Sequence, residues 1–128
     1  MGDLISDGLS VIMNAERTNK KEVTIRRCSK LLINIVKIMK EHGLIGDYIV
    51  VDNNKGGLLT VKLINKINKV GSIRPRYPCK VDEIEGYEKV YLPASGFGII
   101  IMSTPKGLIT HYESKKNNTG GTLIAYCY

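Results

Sequence analysis

Residues 96–121 read GFGIIIMSTPKGLITHYESKKNNTGG, and their pattern decides the character of the C-terminal half. The apolar run through Ile99, Ile100, Ile101 and Met102 reads as a strand over residues 97–102. It stops at two small hydroxyls, Ser103 and Thr104, and Pro105, Lys106 and Gly107 then supply a tight turn. A short strand over 108–110, a short helix over 111–117 and a glycine pair, Gly120 and Gly121, lead into a last strand over 122–127. The stretch holds no nucleophile beside a base. It reads instead as a rigid sheet that displays hydroxyls, amides and cations, a surface suited to the shape of an RNA backbone.

Upstream, the periods change. Leu4, Ile5, Leu9, Ile12 and Met13 share one face of a helix that Asp3 can cap and Asn14 is expected to close, with residues 17–21 a loop. Val23, Thr24 and Ile25 form a short strand. Ser29 caps a second helix over residues 30–41 with Leu32, Ile35, Val36 and Met39 facing inward, and His42-Gly43 stops it. Residues 48–52 and 58–64 are strands of a hairpin, and residues 53–57, NNKGG, are its turn. The expected fold class is therefore α+β in two small lobes. An α-β-α-β-β lobe covers residues 1–70. A β-rich lobe with one short helix covers residues 71–128, entered through GSIRPRYP and including a further strand at 87–91.

The chain has 128 residues, 43% of them hydrophobic, which is enough for a real core. Its net charge of +7 points to a polyanionic partner. The distribution is sharper than the total. Arg17, Lys20, Lys21, Arg26, Arg27 and Lys30 face Glu22 alone, and Lys55, Lys62, Lys66, Lys69, Arg74, Arg76 and Lys80 follow with no acid among them. Asp82, Glu83, Glu85 and Glu88 then cluster, as a charge run expected on a solvated surface loop.

Catalytic and cofactor chemistry find little footing. His42 and His111 fall in different lobes and read as structural, and three dispersed cysteines, Cys28, Cys79 and Cys127, match neither zinc spacing nor a disulfide scaffold. Ser103 has no histidine predicted beside it, and no phosphate-binding or dinucleotide glycine pattern is present, so no cofactor and no small-molecule substrate are expected. No stretch approaches about 18 continuous apolar residues, and no secretory leader precedes the first helix, so a cytosolic protein without a transmembrane helix is expected. Met1-Gly2-Asp3-Leu4-Ile5-Ser6 matches the myristoylation pattern, but a helix starting at the third residue leaves Gly2 no slack. Two other readings compete: a peripheral protein of anionic membranes and a small hydrolase built on Ser103 or the acidic cluster.

The glycines support RNA. Gly107, Gly120 and Gly121 lie next to hydroxyls and lysines, where a bare backbone permits close approach to a sugar-phosphate chain. No helix-turn-helix or zinc finger is present to enter a DNA major groove, and the scarcity of Phe and Trp speaks against a single-strand stacking platform.

Those same segments carry a resemblance. DLISDGLSVIMNAE (3–16), RRCSK (26–30), IRPRY (73–77), LPASGFGIII (92–101), STPKGLITHYESKK (103–116) and TGG (119–121), in this order and spacing, resemble the universal small-subunit ribosomal protein eight family, in its eukaryotic cytosolic form. The resemblance implies a non-enzymatic α/β protein of two lobes. Such a protein binds the central domain of small-subunit rRNA beside neighbouring ribosomal proteins and supports assembly. It implies a main RNA contact at Ser103, Thr104, Lys106 and Gly107 with Gly120 and Gly121 beside them, and a second at Asn14, Ser29 and Lys30. Arg26, Arg27, Lys30, Arg74, Arg76, Lys115 and Lys116 would neutralise phosphates. Three positions depart from the family pattern: Pro105 replaces a frequent hydroxyl, Ser114 a usual alanine, and Thr122 a charged residue.

Overall fold

The computed structural model describes residues 4–26, 29–51, 57–73, 76, 78–93 and 98–128. The Met1-Gly2 motif, Asp3, Arg27, Cys28, residues 53–56 of the hairpin turn, Arg74, Gly96 and Phe97 lie outside them. The chain divides into two compact units, Met1–Gly71 and Ser72–Tyr128.

In the first unit α1 (Leu4–Arg17), β1 (Glu22–Arg26), α2 (Lys30–Glu41), β2 (Asp47–Val51) and β3 (Leu58–Lys62) follow one another. The strands make an antiparallel sheet in the order β1-β3-β2. Alternation along the strands buries Ile25, Leu59 and Val61 on one face and leaves Thr24 and Thr60 on the other, their hydroxyls 3.2 Å apart. Ile5, Leu9, Ile12 and Met13 of α1 and Leu32, Ile35, Val36 and Met39 of α2 are buried, as their helical spacing requires. Each such Leu or Ile contributes roughly 1.5–3 kcal/mol of burial. At Gly8 a Cβ would stand 2.6 Å from Leu32 Cδ2, so the missing side chain sets how closely α1 meets α2.

The helix ends explain the boundaries. Ser29, extended at φ −89 and ψ 163, accepts the Leu32 N–H on its hydroxyl at 3.1 Å and so caps α2. At the other end Leu44 N–H reaches Met39 O and Gly43 N–H reaches Lys40 O, both at 3.0 Å, with Gly43 at φ 73, a Schellman stop. α1 ends the same way but a turn later than expected. Lys20 N–H donates to Ala15 O and Asn19 N–H to Glu16 O, with Asn19 at φ 58 as the left-handed residue. Asn14 is consequently an exposed interior residue of α1 rather than its terminator.

The second unit is built on one sheet. β4 (Val70–Ser72) runs through the boundary and enters this unit at Ser72; β8 (Gly121–Cys127), β6 (Ile99–Thr104) and β7 (Gly107–Thr110) neighbour one another in that order, and β5 (Pro78–Cys79) also pairs with β8. β6 lies between β7 and β8, and Ile99, Ile100, Ile101 and Met102 are all at most 2% exposed. Where a strand was expected at 87–91, the chain is helical: a 3₁₀ turn (Val81–Glu83) runs into α3 (Ile84–Tyr91). The Glu83 carboxylate accepts the Lys80 N–H at 3.0 Å and fixes the start. Ile84, Tyr87 and Tyr91 then recur with a helical period and pack on the cluster of Ile73, Cys79, Leu92, Ile100, Met102 and Leu123. The acidic run is thus no surface loop, and Glu88 has a side chain only 12% exposed. Cys79 and Cys127 are buried; burial, reinforced by Glu83 and Asp82, pushes the Cys79 thiol up.

At the end of β7 the chain leaves the sheet for α4 (His111–Asn117), and side chains take over the ladder. His111, 1% exposed, accepts the Ile100 N–H on Nδ1 at 3.0 Å. That bond leaves the ring proton on Nε2, which faces Glu88 Oε1 at 3.6 Å. Glu88 also pairs with the Lys115 ammonium, so α3 and α4 are braced across one carboxylate. Tyr112 donates its hydroxyl to Gly98 O at 2.9 Å, and burial, with Glu88 adding to it, raises the phenol pKa and keeps it a donor.

His111→Phe keeps an aromatic ring at this position but removes the acceptor of the Ile100 N–H, so it should lower unfolding free energy by about 1–3 kcal/mol in chemical denaturation. Gly86 lies inside α3, and a Cβ there would meet nothing within 4 Å. Gly86→Ala should stabilise by about 0.5–1 kcal/mol in the same measurement.

Candidate nucleic-acid interface

In the second unit the sheet gathers the sequence-predicted residues at one end. Ser103 and Thr104 close β6, Gly107 opens β7 opposite Thr104, and Thr122, next to Gly121 at the start of β8, is opposite Ser103. The turn between β6 and β7 is held by Thr104, whose hydroxyl donates to Gly107 O at 2.8 Å and accepts the Lys106 N–H at 3.2 Å. Thr104 is therefore a turn-forming residue first, with its one hydroxyl proton already committed. Ser103 is half-buried, and Lys106 is exposed at the tip.

Gly107 has φ +123 and open space where a Cβ would stand, so the backbone conformation alone demands glycine there. The Gly120-Gly121 pair answers to a different constraint. A Cβ on Gly121 would lie 2.7 Å from Ser103 O, and one on Gly120 would lie 2.7 Å from Cys79 O. The close approach they permit is to this chain's own strands: Gly121 lets β8 reach the hydroxyl-bearing end of β6, and Gly120 lets the chain pass Cys79 of β5.

α4 brings its last turn to the same connection. Asn118 adopts φ 52, Thr119 N–H donates to Ser114 O at 3.0 Å, and the Ser114 hydroxyl bonds Thr119 O. Ser114, wholly buried, thus uses its hydroxyl to tether the loop before Gly120. Lys115 is spent in part on Glu88, whereas Lys116 is exposed. Arg76 is exposed, and Arg74 lies outside the described residues.

In the first unit Arg26 is exposed at the end of β1, Lys30 is exposed at the start of α2, and Ser29 between them is half-buried with its oxygen already accepting the capping N–H. Asn14 is exposed on α1. Arg27 is undescribed. Ser29 is a cap before anything else.

Among the described residues of the second unit, His111 is committed elsewhere than to Ser103: its Nδ1 accepts the Ile100 N–H and its Nε2 faces Glu88. Among the described residues no group of three or more His, Cys, Asp or Glu is placed to hold a metal ion, and no helix is long and apolar enough to cross a membrane.

Gly121→Ala should destabilise by about 1–3 kcal/mol, because the new methyl meets fixed strand backbone rather than a movable side chain. Thermal unfolding of the purified variant checks this, and an unchanged midpoint would mean β8 can shift away from β6.

Comparison with known proteins gives a concordant result. The family model described as Ribosomal protein S8 matches residues 3–128. The chain is also 48% identical over 126 residues, 98% of its length and 97% of the relative's, to the small ribosomal subunit protein uS8 of the archaeon Methanococcoides burtonii.

Proposed function

Because this chain belongs to the ribosomal protein S8 family, we propose that it serves as a structural, non-catalytic constituent of the small ribosomal subunit that holds the central domain of small-subunit rRNA. The observation that carries the RNA reading is the convergence of Ser103, the Thr104–Gly107 turn and the start of β8 at one sheet end in a chain of net charge +7. Ser103 and the turn amides suit the 2′-hydroxyl edge of a shallow A-form groove, and Lys106 and Lys116 suit its phosphates. The C-terminal unit is the principal RNA-binding lobe. Arg26, Lys30 and Arg76 extend the cationic surface, with Arg27 and Arg74 as further phosphate contacts and Asn14 and Ser29 as minor ones. Lys115 contributes from within its pair with Glu88, and Gly107, Gly120 and Gly121 act through the backbone path they allow. Neighbouring small-subunit proteins complete the partners, and the ribosome, in the cytoplasm, is its location. The eukaryotic-branch reading rests on IRPRY and LPASGFGIII alone; the archaeal relative does not add to it.

Ser103→Ala should weaken binding to small-subunit rRNA by about 1–3 kcal/mol without altering thermal unfolding. Lys106→Ala should reduce the slope of log affinity against log salt by about one. Crosslinks mapped in intact small subunits test the central-domain assignment, and crosslinks confined to another rRNA domain would overturn it. Wild-type affinity in the Ser103 variant would make that residue structural.

A further inference from the structure

The late end of α1 creates a feature in the first unit that the RNA surface described above does not use. The Schellman stop holds Glu16 O and Ala15 O, and the Thr18 hydroxyl folds back on Asn14 O and Ala15 O at 3.1 and 3.2 Å. Lys21 O then accepts Leu63 N–H at 2.8 Å, clamping this turn to the exit of β3, where Asn65 is again left-handed at φ 61. Between the two fixed turns lies a cavity of about 290 Å³, lined by Glu16, by Leu63 and Ile64, and by the turn residues Asn19, Lys20, Lys21 and Asn65.

Glu16 is the anomaly. It is 6% exposed, its Oε2 has no hydrogen-bond partner, and burial raises its pKa. Neither Lys20 nor Lys21, both exposed at the rim, pairs with it. A buried acceptor left unsatisfied costs stability, so its natural complement is a ligand that donates hydrogen bonds. Oε2 is closed off from the cavity in this structure, so presenting both oxygens to a ligand requires the Glu16 side chain to change rotamer.

The other walls narrow the ligand. The exposed apolar side chain of Ile64 (44% exposed), backed by buried Leu63, offers a surface for the face of a flat ring. Rim lysines oppose a bound metal cation and favour an attached phosphate, while Glu16 opposes a free anion. A nucleotide answers all three demands. Among the four bases guanine alone presents two adjacent donors, N1–H and N2–H, to match the two oxygens of a carboxylate; adenine, cytosine and uracil each place an acceptor beside their donor.

We propose that this cavity receives one unpaired guanine of small-subunit rRNA, its N1–H and N2–H donating to the Glu16 carboxylate while Lys20 and Lys21 meet the flanking phosphates. The proposal rests on the rRNA-binding reading and assigns that reading a base-specific contact. Recognition of an unstacked base on its Watson–Crick edge is the usual route to sequence discrimination in RNA.

The test is chemical probing of small-subunit rRNA with kethoxal, which modifies the N1/N2 edge of unpaired guanine, alone and with the full-length protein or its E16Q variant. Wild type should shield a guanine that E16Q leaves reactive, with the remaining footprint intact and affinity lower by about tenfold. Thermal unfolding separates this from misfolding. The raised folded pKa means that wild-type stability falls as pH climbs from near 4.5 through that pKa, so E16Q, lacking the charge, should be as stable as wild type or more so at pH 7. Identical guanine protection by both proteins would overturn the pocket while leaving rRNA binding intact. Absence of any wild-type footprint would overturn rRNA binding itself, and the pocket with it.

Discussion

The backbone N–H of Ile100 sits at the buried centre of the second sheet, on the side where β7 has already ended. A buried donor of this kind must be satisfied, and the side chain of His111 is what satisfies it. The consequences run outward in sequence. With Nδ1 committed as acceptor, the ring directs Nε2 at Glu88, and Glu88 in turn holds Lys115. One unsatisfied amide thereby fixes where α4 leaves the sheet and how α3 is tied to it. The position of the α4 end, and with it the approach to Gly120 and β8, follows from the same bond.

The outward-facing chemistry is what remains after these internal demands are met. Thr104 closes its own turn, Ser29 caps its own helix, Gly120 and Gly121 make room for neighbouring strands, and Lys115 serves Glu88. Each residue type suits RNA as well as it suits the fold, which is why composition alone could not separate the two uses. Ser103, Lys106 and Lys116 are the residues of this end with the fewest structural obligations. Pro105 is exposed between Thr104 and Lys106 in a turn that Thr104 holds without it.

Much of the fold was legible in the chain. The α-β-α-β-β order, the cap at Ser29, the bounds of α2 and the antiparallel hairpins follow from local periods and terminal residues, and the structure has all of them. At 87–91 the strand propensity of Tyr and Val yields to the helical recurrence of Ile84, Tyr87 and Tyr91, a period reinforced by Glu83 three residues after Lys80. α1 likewise runs past the polar Asn14, because buried Ala15 and Glu16 and left-handed Asn19 carry the helix another turn.

The sequence by itself determined the class of this protein, its amphipathic faces, its cationic character and the hydroxyl turn, because each is a local or additive property of neighbouring residues. Only the tertiary structure decided what Glu88, His111 and Lys115 do together, why Gly120 and Gly121 must lack side chains, and that Glu16 is buried without a partner. These depend on groups brought together from distant parts of the chain, where burial and backbone clearance are set by the partner element. No spacing along one element encodes them.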